Sequence, residues 1–136
     1  EKAADHLISL PHGYTYTGHP VACAAALAAM DIFEQEDMPA RVRALAPTFE
    51  NTLHGLKGEP NIVDIRNYGL AGAIQIDARN QDPLVRPYEI GIACWKEGLY
   101  VRWGGDTLQF APPFVAAEDD IIQMGDILRR VIKKIA

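Results

Sequence analysis

Arg102 is the residue of this sequence best suited to gripping a small charged molecule. It lies in Leu99-Tyr100-Val101-Arg102-Trp103, an apolar and aromatic run just before Gly104 and Gly105, where backbone can approach a ligand closely. A guanidinium is a planar fork that holds a carboxylate by two parallel hydrogen bonds, which a lysine cannot do. Two other readings of Arg102 stay open on residue types alone: a strand arginine snorkelling to solvent, or one paired with Asp106 across the turn. Thr15 is the second candidate. In His12-Gly13-Tyr14-Thr15-Tyr16-Thr17-Gly18-His19-Pro20 its hydroxyl and a neighbouring backbone N–H can hold a phosphate oxygen, or simply close a turn on its own backbone.

The remaining reactive side chains carry weaker arguments. His12 and His19 are capable of acid–base work, but no nucleophile or partner is fixed beside them, and loop histidines commonly cap helices. His6 and His54 have no argument for a role. Tyr100 and Trp103 read as core residues first and pocket walls second. The lysines are Lys2, Lys57, Lys96, Lys133 and Lys134, each at a terminus, a helix end or a polar helix position where a solvated ammonium is the natural reading. Cys23 and Cys94 fall on apolar helix faces and read as buried thiols rather than a disulfide, and their spacing fits no metal site.

The elements that must position these groups follow from periodicity. Thr17 or His19 can cap a helix that Pro20 opens, where a missing N–H costs nothing. From Val21 to Met30 that helix is apolar nearly all round, so it is expected to be buried. Its start, facing a Gly/Thr-rich loop, suits a phosphate or carboxylate. It turns polar and ends near Asp37. Pro39 marks a new helix carrying Val42, Leu45, Phe49, Leu53 and Leu56 at helical spacing, with Pro47 a cost within it. Ile62–Arg66 and Ala73–Ile76 read as strands of a hairpin, Val63 and Ile65 on its packed face. A helix follows over Pro87–Glu97. Leu99–Trp103 and Thr107–Phe110 form a second hairpin around Gly104-Gly105-Asp106, and Ala111-Pro112-Pro113 ends its pairing. The last helix opens on Glu118-Asp119-Asp120 and buries Ile121, Ile122, Met124, Ile127, Leu128, Val131 and Ile135. Leu7, Ile8 and Leu10 are available for packing from a short helical start. The order gives an α+β fold, a small antiparallel sheet covered by helices.

Composition excludes several classes. The 136 residues are 49% hydrophobic and 23% charged, ordinary for a globular domain, and the net charge of −5 argues against a nucleic-acid partner. No apolar run approaches a membrane span, there is no signal-peptide pattern, and the thiols fit a reducing cytoplasm. Glu1 is not an initiator methionine and the first residues read as a helix end, so the chain is expected to be the C-terminal part of something longer.

Three motifs in order carry a resemblance over nearly the whole chain: HGYTYTGHPVACAAALAAMD, IVDIRNYGLAGAIQI and GLYVRWGGDTLQFAPPF. They resemble the last third of class III, pyridoxal-phosphate-dependent aminotransferases, and the ω-amino acid:pyruvate (β-alanine:pyruvate) group above all. The resemblance implies fold type I, with residues 1–36 closing the large cofactor domain and 37–136 forming the C-terminal small domain. It implies that Arg102 binds the α-carboxylate of pyruvate or alanine and swings away from donors that lack one. It further implies that Thr15, with contacts from Tyr14, binds the cofactor phosphate of the neighbouring subunit, so that a homodimer shares its active sites. The Schiff-base lysine of such an enzyme lies upstream, which leaves this chain no catalytic residue and no activity alone. A taurine, diamine or semialdehyde-aminomutase type is the alternative within the family, and a non-catalytic anion-binding or dimerisation domain the alternative outside it.

Overall fold

A computed structural model of the protein describes residues 13–135. The chain divides into two compact units, Glu1–Asp37 and Met38–Ala136. In the first, the described residues are the loop 13–19 and helix α1 (Pro20–Gln35). His19 is the N-cap: its Nδ1 accepts from the Ala22 N–H at 3.3 Å, and Pro20 occupies the first turn. The helix stops where Asp37 turns to a φ of 42°. None of its residues is buried. This corrects two expectations, that the helix is buried and that Cys23 is a buried thiol; Cys23 is exposed. The physical reason is that an apolar surface records what a helix prefers, not what lies against it.

The second unit has its own core. Helix α2 (Met38–His54) takes Pro39 in its first turn, runs on through Pro47, and buries Leu45, Phe49 and Leu53 at four-residue intervals. Strands β1 (Ile62–Tyr68) and β2 (Ala71–Ile76) form an antiparallel hairpin. Ile62 pairs with Ile76 but Asp64 pairs with Gln75, so Val63 is a bulge. The extra residue shifts the parity of the strand: Ile62 and Ile65 pack against the core, whereas Val63, expected on the packed face, is exposed.

Helix α3 (Val85–Lys96) buries Ile90 and Cys94. Strand β3 (Arg102–Gly104) is shorter than the expected Leu99–Trp103, and pairs antiparallel with β4 (Thr107–Phe110) through a two-residue turn in which Gly105 takes a φ of 60°. Helix α4 (Glu118–Ile135) carries acidic residues in its first turn and lysines in its last, both complementing its dipole. Its stripe is buried as expected except at Ile122, which is exposed, and Ile135, which is partly covered.

The sheet order is β1-β2-β4-β3, antiparallel throughout. Helices supply one face of the core, where Phe49, Leu53, Ile90, Ile121 and Leu128 meet Ile74 and Leu108. Two close approaches fix this packing. A Cβ at Gly72 would lie 2.3 Å from Leu53 Cδ1, and one at Gly91 would lie 2.4 Å from the Trp103 ring. The opposite face of the sheet is lined by Asp64, Arg66, Ala73, Gln75, Thr107 and Gln109 and carries no helix of the second unit. The fold is therefore α+β with a small four-stranded antiparallel sheet, as the sequence pattern predicts.

Candidate functional site

Arg102 opens β3, and its in-register partner on β4 is Gln109, whose partner on β2 is Ala73. Strand alternation places all three on the open face of the sheet. The arginine and the glutamine border a groove of about 860 Å³ at the ends of the strands. Leu99, Phe110, Pro112, Pro113 and Val115 give it apolar walls. Tyr100, expected in the core, is exposed on its rim and edge-on to Trp95 at 6.1 Å between ring centroids. Trp103 points to the other side of the sheet, where it packs on Gly91 and meets the edge of Tyr88.

The far wall is held by a residue that sequence reasoning missed. Arg41, on α2, donates to the carbonyl of Phe114 and, at 2.9 Å, to that of Ala116. It thereby ties the Pro112–Ala116 segment to the helix. Asp120 also borders the groove, but its carboxylate caps α4 by accepting from the Ala117 N–H at 2.8 Å.

Arg102 has no such tie. Arg66, Arg79, Arg129 and Arg130 each face a carboxylate at 2.9–3.2 Å, and Arg86 donates to the carbonyls of Asp77 and Ala78. The side chain of Arg102, like that of exposed Arg43 on α2, makes no hydrogen bond or ion pair among the described residues. The reading in which it pairs with Asp106 is corrected: Asp106 accepts from the Thr107 hydroxyl at 2.8 Å and from Gln75 Nε2 at 2.7 Å. Those two donors, the hydroxyl first, hold the Asp106 carboxyl below the usual carboxylate range. The turn carboxylate is satisfied by its own neighbours, and the guanidinium is left for something else.

The loop 13–19 is described separately. Thr17 Oγ1 accepts from the Tyr14 N–H at 3.2 Å and the Thr17 N–H returns to the Tyr14 carbonyl at 3.0 Å, closing a turn with Thr15 and Tyr16 at its corner. Tyr14 and Tyr16 are exposed. The Thr15 hydroxyl and the N–H groups of Thr15 and Tyr16 have no partner among the described residues. Thr15 thus sits at the corner of a turn with three donors that are not used by the turn itself. Because His19 takes the Ala22 N–H, the start of α1 offers fewer free donors than the sequence suggests, and the loop offers more.

The other candidates resolve simply. His19 is a cap, and His54 Nε2 lies 2.9 Å from Asn67 Oδ1. His6, His12 and Lys2 lie outside the described residues, as do Leu7, Ile8 and Leu10. Lys57, Lys96, Lys133 and Lys134 are all exposed, and Lys133 faces Glu59 at 3.4 Å. Burial, with a smaller contribution from Glu97, pushes the Cys94 thiol from 9.0 up to about 12, which makes it a packing residue and not a nucleophile. Among the described residues no group of three His, Cys, Asp or Glu is placed to hold a metal ion, and no helix is long and apolar enough to cross a membrane.

Comparison with known proteins decides the family. The model of the class III aminotransferases matches residues 1–132. The chain belongs to that family. It is 51% identical over 131 residues to the omega-amino acid–pyruvate aminotransferase of Pseudomonas putida, covering 96% of this chain and 29% of that protein. It is 51% identical over 132 residues to the beta-alanine–pyruvate aminotransferase of Pseudomonas aeruginosa, covering 97% of this chain and 30% of that one. Among solved structures, the PMP-bound form of an aminotransferase from Vibrio fluvialis superimposes with a TM-score of 0.81 at 33% identity, over 93% of this chain and 29% of that one. The fold is thus that of the fold type I aminotransferases, and membership of the family implies pyridoxal phosphate as cofactor. The chain spans about 30% of the length of these relatives.

Proposed function

We propose that the chain is the C-terminal portion of a pyridoxal-phosphate-dependent ω-amino acid (β-alanine):pyruvate transaminase, acting as a homodimer or higher homo-oligomer in the cytoplasm. In this reading residues 1–36 close the cofactor domain and 37–136 form the small domain. Arg102 receives the substrate carboxylate, and Thr15, with Tyr14, belongs to the cofactor-phosphate site of the neighbouring subunit. The observation that carries the reading is the unpaired guanidinium of Arg102 at the mouth of an apolar groove, in a chain half identical to pyruvate aminotransferases.

When bound, pyridoxal phosphate supplies the electron sink that stabilises negative charge on the substrate carbon. The residues of this chain do the rest of the work assigned to them by binding. The Thr15 hydroxyl and the adjacent N–H groups donate to phosphate oxygens. Arg102 holds both oxygens of a carboxylate, and the apolar walls keep competing water away, which strengthens the charged pair. Gly104 and Gly105 behind Arg102 place no side chain in its way. The exposed lysines are suited to solvent and not to amine chemistry, so the catalytic lysine is assigned upstream and the 136-residue chain alone is expected to be inactive.

The test is Arg102→Ala in the full-length protein. Pyruvate use is expected to fall by roughly a hundredfold or more in kcat/KM, the loss of a bidentate charged contact, while the thermal transition stays in place. Unchanged pyruvate kinetics would remove Arg102 from the site.

A further inference from the structure

Helix α2 carries a stripe whose members do two different things. Leu45, Phe49 and Leu53 recur every four residues and are buried in the core. One step earlier on the same stripe stands Arg41, where another apolar residue would continue the pattern. Its side chain reaches the strap Pro112–Ala116, which joins β4 to α4 and lines the groove that Arg102 borders. Nε donates to the Phe114 carbonyl and Nη2 to the Ala116 carbonyl at 2.9 Å, so one rigid fork spans the middle of the strap. The ends of the strap are anchored independently. Pro112 follows β4, and at the other end the Ala117 N–H donates to Asp120 at 2.8 Å while Thr48 on α2 donates to Glu118 at 3.3 Å. Side-chain burial holds the middle weakly, since Phe114 and Val115 are exposed.

We propose that Arg41 is a positioning residue that sets the width of the groove, and through it the length of side chain allowed on a 2-oxo acid acceptor. The proposal rests on the reading of Arg102 as the carboxylate receptor. With the carboxylate held there, the rest of such an acceptor lies along the apolar walls. Phe110, Ile121 and Met124 are walls that belong to the core and cannot give. The strap is the wall whose place depends on a polar tie from another element. An apolar pocket discriminates one methylene by roughly 10–200-fold, so a small retreat of this wall changes which acceptor is preferred.

In the full-length enzyme, kcat/KM is measured with pyruvate and with 2-oxopentanoate, which has the same carboxylate and ketone and two further methylenes. Arg41→Ala is expected to raise the ratio of 2-oxopentanoate to pyruvate roughly tenfold, with the change carried by KM. Arg41→Lys keeps the charge without the planar fork and is expected to give an intermediate ratio. Arg102→Ala, measured beside them, is expected to lose both acceptors alike, because both present the same carboxylate. A ratio unmoved in both Arg41 variants, with both acceptors lost in Arg102→Ala, would overturn the role of Arg41 and leave that of Arg102. Equal losses for the two acceptors in Arg41→Ala would also overturn it, since general damage to the fold does not select by length. Where Arg41→Ala does not fold, Arg41→Lys decides by the same ratio. A shifted ratio with both acceptors intact in Arg102→Ala would keep the strap and remove Arg102 from the carboxylate site.

Discussion

Alanine at position 72 would place a methyl carbon 2.3 Å from Leu53 Cδ1 and 2.9 Å from Cε1 and Cζ of Phe49. Carbon atoms in ordinary contact sit about 3.5–4.0 Å apart, so Leu53 must retreat by more than ~1 Å. It has nowhere to go, because Leu53 and Phe49 are both fully buried in a close-packed core. Overpacking of this kind costs about 1–3 kcal/mol, and the upper half of that range is expected where two side chains are struck at once. With a urea slope of roughly 1–2 kcal/mol/M for a unit of this size, the unfolding midpoint falls by about 1–3 M. Trp95 and Trp103 both belong to the second unit, so tryptophan fluorescence in a urea titration of the 136-residue chain reads the change. The control is Leu53→Ala. Alone it costs ~2–5 kcal/mol through the cavity it leaves. Combined with Gly72→Ala it costs less than the sum, by ~1 kcal/mol or more, because the new methyl enters that cavity. Strictly additive losses, or a Gly72→Ala midpoint within about 0.3 M of the parent, would refute the close approach of β2 to α2.

Two further outcomes test the loop and the core. Thr15→Ala in the full-length protein is expected to weaken cofactor retention about tenfold, read by absorbance after dialysis, while Thr15→Ser restores it; retention unchanged by alanine would remove Thr15 from the phosphate site. Cys23 is exposed and Cys94 buried, so a thiol reagent at mildly alkaline pH labels only Cys23 in the folded chain. The folded Cys94 thiol is raised from 9.0 to about 12, so its stabilising effect is full below pH 9.0 and is lost progressively as pH rises toward 12. Urea midpoints across that range are expected to fall less steeply in Cys94→Ala.

The elements were largely legible because they depend on near neighbours in sequence, and the surprises arise where a distant partner decides. The two-residue turn at Gly105-Asp106 fixes that position 102 faces 109 and 104 faces 107, so the pairing of Arg102 with Gln109 follows from counting outward from the turn. The motif containing both residues was visible; the register arithmetic was the signal left unused. Val63 is different. Its bulge depends on how β1 meets β2, where the Asp77 N–H reaches the Asn61 carbonyl at 2.8 Å, and alternation along one strand cannot report that. The exposure of α1 and Cys23 was illegible for a related reason, since apolarity names a preference without naming what satisfies it.

The fate of Arg102 shows the same dependence at the site itself. Beside an aspartate four residues on, a strand arginine has an obvious local partner, and nothing between Leu99 and Phe110 forbids the pair. The choice is made by Gln75, 31 residues away in sequence and directly across from Thr107 on the neighbouring strand. Its amide and the Thr107 hydroxyl occupy both Asp106 oxygens. An acid so satisfied gains little from a guanidinium, and one that must be paired elsewhere would lose those bonds. The free charge at the groove is therefore a consequence of the β2–β4 register: the same antiparallel pairing that builds the sheet takes away the arginine's competitor and leaves its fork for a ligand.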